Sequence, residues 1–346
     1  MPLRPNFFER LAIGWGMVPG LLLDFGLTGF MVTAMIGAGE IDLFRKMDRG
    51  PANLEDLAQR TGTDPRALYN LLKVMKNLGY VDEKDGRYAL SKYAHKSLPV
   101  SDIHKMTPFF KAQILRSVEG VEKALTEAPE DGVFGWEAVR EGEVGRSYQE
   151  TMRWLAGGTV DEVVSKIKLH RSDARMIDIG GSHGLYCVEM CRKYPDMQAT
   201  VVDWPIGIEN AGKTLQENTD VADRIDTVEA DFLKDELPGD YDFAFLGNIV
   251  HGNSPDQNRE LFRKIGEATR DRAVLGILDQ FDNISGTRFT RTVSSLVGWN
   301  LFLFSNGRAY DIADVKSWLE EAGFPKTRLY NLKKTPGFSL LLAKTG

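Results

Sequence analysis

Residues 175–184 constrain this chain more than any other stretch. They read R-M-I-D-I-G-G-S-H-G, an apolar run holding one acid, Asp178, that stops at Gly180, Gly181 and Gly184. From Leu185 to Tyr194, apolar side chains recur at helical spacing. The pattern predicts a strand, a tight glycine turn and a helix. Glycine is required where the backbone takes positive φ or comes close to a ligand. Such a turn opens a nucleotide-type site at the carboxyl edge of a parallel sheet. An ordinary strand-to-helix turn would account for the glycines alone, so the ligand reading rests on what lies downstream.

The dinucleotide fingerprint G-x-G-x-x-G seats a pyrophosphate on the helix N-terminus. Here Asp178 stands two residues before the first glycine. A carboxylate so close repels a pyrophosphate and suits a ligand carrying an amino group and a sulfonium. Farther on, the run Ala199-Thr200-Val201-Val202 ends in Asp203, where a ribose-binding acid sits in such folds.

Beyond Lys166, apolar runs alternate with helical stretches. Each run is expected to end in a polar residue: Asp203 after 199–202, Asp231 after 225–230, His251 after 243–250 and Asp279 after 273–278. Strands alternating with helices predict a parallel sheet covered on both faces. The interior explains the apolar bodies, and a ligand cleft at the carboxyl edge explains the polar tips. Past a helix expected over 311–322, the runs 327–332 and 338–343 are joined by five residues. That connection is too short for a parallel crossover, so the chain ends in an antiparallel hairpin.

D-x-G-G-x-x-G, followed by Tyr194-Pro195 and Asp203-Trp204-Pro205, resembles the first two motifs of S-adenosylmethionine-dependent methyltransferases. Within them it is similar to the small-molecule O-methyltransferases typified by caffeate and hydroxyindole enzymes. The resemblance covers nearly all of the chain from about Ile41. It implies an α/β, Rossmann-like class I methyltransferase sheet, with S-adenosyl-L-methionine as cofactor. By the same resemblance Gly180, Gly181 and Gly184 admit the methionine portion, beside Asp178. Asp203 takes the ribose hydroxyls, and Asp231 with Phe232 lies beside the adenine, as in the D-M-F or D-F-F motif.

His251, in L-G-N-I-V-H-G-N-S-P-D, resembles the segment that holds the family's general base. A phenol must lose its proton to attack a methyl carbon, and an imidazole titrates in the right range to take it. Asp279, in V-L-G-I-L-D-Q, matches the acid that steadies that imidazole. Tyr148 and Met152 stand where an F-x-x-x-M pair lines the family's acceptor pocket, with Tyr for Phe. Read without the family, such a stripe is core, as is a lone histidine. The sequence departs from plant members at Gly247 and Asn253, where Lys and Trp flank the base. It departs again at Ala309, in G-R-A-Y-D, where the second acid of G-x-E-R-T would fall. These departures loosen the substrate class and leave room for transfer to nitrogen or carbon.

The amino-terminal part reads differently. Asn53 can cap one short helix that closes at Gly62, and Asp64-Pro65 opens a second whose apolar face carries Leu68, Leu71, Leu72 and Met75. Tyr80-Val81 and Tyr88-Ala89-Leu90 flank Asp85-Gly86, a strong hairpin turn. Two helices and a hairpin make a winged helix, whose usual partner is DNA. The would-be recognition helix offers only Arg66, Lys73 and Lys76. The pattern N-L-E-D-L-A…L-L-K-V-M-K-N-L-G-Y resembles the family's dimerisation domain, so a homodimer that does not bind nucleic acid is expected. The expected division is a winged-helix-like dimerisation domain over 1–100, connecting helices lining the acceptor pocket over 101–165, and the cofactor domain over 166–346.

Composition bounds the rest. Against 49 Asp and Glu stand 43 Lys and Arg, a net charge of −6 that argues against a nucleic-acid surface. The two cysteines, Cys187 and Cys191, share a helical face with no ligand partner nearby, so reduced core thiols are expected and no metal. Residues 11–39 are apolar but broken by Pro19, Asp24 and several glycines. They read as helices buried against another subunit in a cytoplasmic protein, with no membrane span. The expected activity is methylation of a hydroxyl on a small aromatic or polyketide-like metabolite. The rival is a cofactor-binding winged-helix regulator without chemistry.

Overall fold

The computed structural model of the 346-residue chain describes residues 6–17, 22–282, 287–335 and 337–346. It divides into two compact units, Met1–Ala112 and Gln113–Gly346.

In the first unit, α1 (Phe7–Gly14) precedes a π-helical turn at Leu22–Leu27, α2 (Thr28–Glu40) and α3 (Leu43–Met47). Residues 18–21, including Pro19 of the apolar stretch, lie outside the described ones. Next come α4 (Leu54–Thr61), α5 (Pro65–Asn77), the strands β1 (Val81–Lys84) and β2 (Arg87–Leu90), and α6 (Lys92–Ser97). Asn53 caps α4 by accepting the Asp56 amide at 2.8 Å, and Asp64 caps α5 by accepting that of Ala67 at 2.9 Å. Both turn residues between β1 and β2, Asp85 and Gly86, have positive φ, as the tight hairpin requires. Leu68, Leu72 and Met75 of α5 pack with Leu57, Phe44 and Met47 in one core, and Leu71 is only partly buried.

The second unit begins inside α7 (Ile103–Glu127) and continues with α8 (Gly142–Lys166). Strands and helices then alternate: β3 (Arg175–Ile179), α9 (Leu185–Lys193), β4 (Gln198–Asp203), α10 (Pro205–Glu217), β5 (Ile225–Glu229), β6 (Tyr241–Gly247), α11 (Pro255–Ala268) and β7 (Thr269–Asp279). After them come the short β8 (Phe281–Asp282), α12 (Arg288–Ser305), β9 (Tyr310–Asp311), α13 (Ile312–Glu321), β10 (Lys326–Asn331) and β11 (Ser339–Lys344). Seven strands form one sheet in the order β10-β11-β7-β6-β3-β4-β5. β3 to β7 run parallel, whereas β11 is antiparallel to β7 and β10 to β11. Of the connection between β10 and β11, Pro336 lies outside the described residues.

Each face of the sheet has its own core. Met176, Val201, Phe243 and Phe245 meet α8 and α9 on one face, and Ile177, Val202, Leu246 and Ile277 meet α11 and α13 on the other. Strands buried on both faces therefore read as continuous apolar runs.

Two strand ends differ from the expectation. β6 stops at Gly247, four residues short of His251. Asn248 follows in the left-handed region at φ 60, which no strand continues. His251 sits instead on a single 3-10 turn, Val250–Gly252. β5 likewise ends at Glu229, which leaves Asp231 on the loop beyond it.

Candidate active site

At the carboxyl edge of β3, β4 and β6 lies a cavity of about 530 Å³, contained wholly in the second unit. Asp178, Gly180, Gly181, Asp203, Asp231, Phe232, Tyr148 and Met152 are all on its wall. Gly184 is not. At φ 65 its backbone is what calls for glycine, since a Cβ there would meet Val201 and Ala211 only at ordinary contact distances of 3.4 and 3.7 Å.

The glycine turn is shaped by what it wraps. A Cβ on Gly181 would meet the Asp178 carboxylate at 2.8 Å, and one on Gly180 would meet Ile249 at 2.3 Å. Asp203 then fastens the turn to β4. One of its oxygens accepts the Ser182 amide at 2.8 Å and the other that of Trp204 at 2.6 Å. The Ser182 hydroxyl donates to Gln149 of α8.

Burial dominates the electrostatics here. Asp178 is almost fully buried, and the Cys187 thiol donates to its carboxyl group at 3.8 Å. Its pKa is raised to about 8, first by burial and then by the charge of Asp203. Burial also raises Asp203, to about 6, against the two amides it accepts. His183, inside the turn, is pushed down to about 3 by burial and then by Arg153. Its Nδ1 accepts the Leu185 amide at 3.1 Å, so the neutral ring carries its proton on Nε2.

Asp178 yields a stability prediction. Between about pH 4, where an unfolded aspartate ionises, and about pH 8, the folded chain holds a proton that the unfolded chain has released. The ligand-free protein therefore loses stability as pH rises through that window. Asp178→Asn removes this residue's share of the dependence and leaves that of Asp203, which ends near pH 6. Melting temperatures should show the variant gaining on the wild type from pH 5 to pH 8; a constant difference would contradict the assignment.

Asp231 occupies the other end. Arg140 and Lys234 approach its carboxylate at 3.9 and 3.1 Å. Arg140 also lies over the Trp204 ring, 4.2 Å from its centroid. The loop after Asp231 is fastened by a buried lysine: Lys264 of α11 donates to the carbonyls of Phe232, at 2.9 Å, and of Asp235.

His251 and Asp279 meet. The Asp279 carboxylate accepts from His251 Nδ1 at 2.6 Å and from the His251 amide at 3.2 Å. With Nδ1–H donating to a carboxylate, Nε2 keeps its lone pair. The cavity wall includes their neighbours Ile249 and Asn253 but neither of the pair. Ala309, where the family's second acid would fall, is buried beside Tyr310, whose hydroxyl donates to the Asn253 carbonyl at 2.6 Å.

Sequence reasoning missed Trp136, Arg140, Gln149 and His183 on the wall, and Lys264 behind it. Only His183 carried a signal, its place inside the glycine turn. Among the described residues no group of His, Cys, Asp and Glu could hold a metal, and no helix is long and apolar enough to cross a membrane. Both cysteines are buried and free.

The O-methyltransferase domain profile matches residues 121–325, more than half of the chain. The chain belongs to the O-methyltransferase family. It is similar to the 3-hydroxy-5-methyl-1-naphthoate 3-O-methyltransferase of Streptomyces sahachiroi, 28% identical over 321 residues that cover 90% of each chain. The bacteriochlorophyllide d C-20 methyltransferase of Chlorobaculum tepidum is 25% identical over 266 residues, 71% of this chain and 74% of that one. Human N-acetylserotonin methyltransferase, solved in complex with its cofactor, shares the fold at a TM-score of 0.79 and 18% identity, with both chains fully covered.

The cofactor of this O-methyltransferase family chain is S-adenosylmethionine. The residues present fit that group. The turn is bare of side chains where a ligand must come close, the carboxyl groups of Asp178, Asp203 and Asp231 are among those on the wall, and Trp204 Nε1 is buried there without a hydrogen-bond partner.

Proposed function

We propose that this chain methylates a hydroxyl group of a small aromatic or polyketide-like metabolite, with His251 as the general base. The observation that carries the reading is the buried 2.6 Å contact between His251 Nδ1 and Asp279. When bound, the cofactor supplies an electrophilic methyl carbon on a sulfonium. His251 Nε2 takes the hydroxyl proton of the acceptor, and Asp279 holds the imidazole in the tautomer that leaves Nε2 free. Asp178 faces the amino group, Asp203 the ribose hydroxyls, and Asp231 with Phe232 the adenine. Gly180, Gly181 and Gly184 keep the turn close and narrow. Tyr148 and Met152 wall the acceptor side, where aromatic surface excludes water. The naphthoate enzyme among the relatives favours a hydroxyarene. Incubation with labelled S-adenosylmethionine and a panel of hydroxylated aromatics and polyketides tests the reading, and no transfer to any of them would overturn it.

The bacteriochlorophyllide relative favours a second reading, transfer to carbon. Carbon-13 spectra of the labelled product separate a methyl on oxygen from a methyl on carbon.

The first unit is read as a winged-helix-like dimerisation module of a cytoplasmic protein. Phe7, Phe8, Trp15, Met17, Phe25 and Phe30 are all exposed, an apolar surface that a second copy would cover. Light scattering should give a dimer, and a DNA-binding assay at low salt should show no salt-sensitive complex. A stable monomer would remove the dimerisation role.

A further inference from the structure

Gly252 follows the proposed base, and nothing in its backbone calls for glycine. Its φ is not in the left-handed region, so any residue could adopt it. What excludes a side chain is an indole: a Cβ at Gly252 would lie 2.7 Å from Trp136 Cζ2. Trp136 opens the 3-10 turn Trp136–Val139 and stands on the cavity wall. Its ring meets Phe304, Trp204 and Tyr148 edge to face, with centroids at 4.8, 6.1 and 6.4 Å. One side chain therefore touches the base turn, the residue after Asp203, the acceptor-side Tyr148 and the end of α12. With three aromatic neighbours and a backbone against it, the indole has little freedom to yield to a larger guest.

We propose that Trp136, seated on Gly252, is the residue that sets the size of the acceptor this site takes. The proposal rests on the hydroxyarene reading above. Trp136 closes the cavity next to the turn that carries His251, and Gly252 is the matching half, bare so that the indole fits. Trp136 is a specificity-determining residue and takes no part in proton transfer.

The experiment compares wild type, Trp136→Ala, Trp136→Phe, Gly252→Ala and Gly252→Ala/Trp136→Phe. Each is assayed for methyl transfer to phenol, 2-naphthol and 2-hydroxyanthracene, with cofactor affinity measured by calorimetry. Trp136→Ala should shift the ratio of kcat/KM for the three-ring over the one-ring acceptor upward by roughly tenfold or more, with cofactor Kd changed less than about threefold. Gly252→Ala should lower transfer to all three, because the methyl displaces the indole toward the acceptor. The smaller ring of the double variant should restore most of that loss, the coupling expected of two residues in contact. Equal losses on all acceptors in Trp136→Ala, an unaffected Gly252→Ala, or strictly additive effects in the double variant would overturn the proposal and leave methyl transfer standing. Absence of transfer by the wild type would instead remove the hydroxyarene reading, and the size-setting role with it.

Discussion

His251→Gln should lower turnover of a phenolic acceptor by at least about a hundredfold while cofactor affinity stays nearly unchanged. Glutamine keeps similar size and polarity and can still donate to Asp279, so the turn Val250–Gly252 and the backbone bond from the His251 amide persist. What disappears is a nitrogen able to hold the acceptor's proton. The loss should shrink for phenols already ionised at the assay pH, because their proton is gone before they bind. Asp279→Asn should be milder in its effect on proton transfer, but it also weakens the contact that orients the ring. Full activity of His251→Gln on phenols of both high and low pKa would rule out the base.

Asp203→Ala should weaken cofactor binding by about 1.5–3 kcal/mol, roughly ten- to hundredfold in Kd. Two losses combine. The carboxylate proposed for the ribose goes, and the amides of Ser182 and Trp204 lose their acceptor. Asp203→Asn separates the two: its one remaining oxygen serves one amide, while its NH₂ group faces the other. Calorimetry should therefore place Asn between wild type and Ala. Unchanged affinity in Asp203→Ala, or tight binding of NAD by the wild type, would defeat the assignment.

The two variants probe residues of unequal legibility. Asp178, Asp203 and the glycines could be read because a strand, a tight turn and a helix leave their periodicities in adjacent residues, and burial on both faces makes each strand an apolar run. The same logic misplaced His251. Residues 243–250 are apolar enough to pass for one strand, but Gly247 and the left-handed Asn248 end it early. The histidine reaches Asp279 from a separate turn, a position fixed by hydrogen bonds that no local pattern records. Trp136 is harder still. Its role depends on Gly252, Trp204 and Phe304, brought together only by the tertiary fold. Lys264 looked like any helix-surface lysine, and only its two carbonyl partners distinguish it.

That lysine shares α11 with a second tether. Asn258, one turn into the helix, donates to the Val250 carbonyl at 2.9 Å and so grips the turn that bears His251. Six residues later Lys264 grips the loop that bears Asp231 and Phe232. At about 1.5 Å of rise per residue the two grips stand some ~9 Å apart along one axis. α11 thus works as a ruler laid across the sheet edge: the spacing between the loop of Asp231 and Phe232 and the turn of His251 is tied to the rise of the helix. A single residue inserted between Asn258 and Lys264 would swing the lysine by about 100° and let go of one end while the other stayed held.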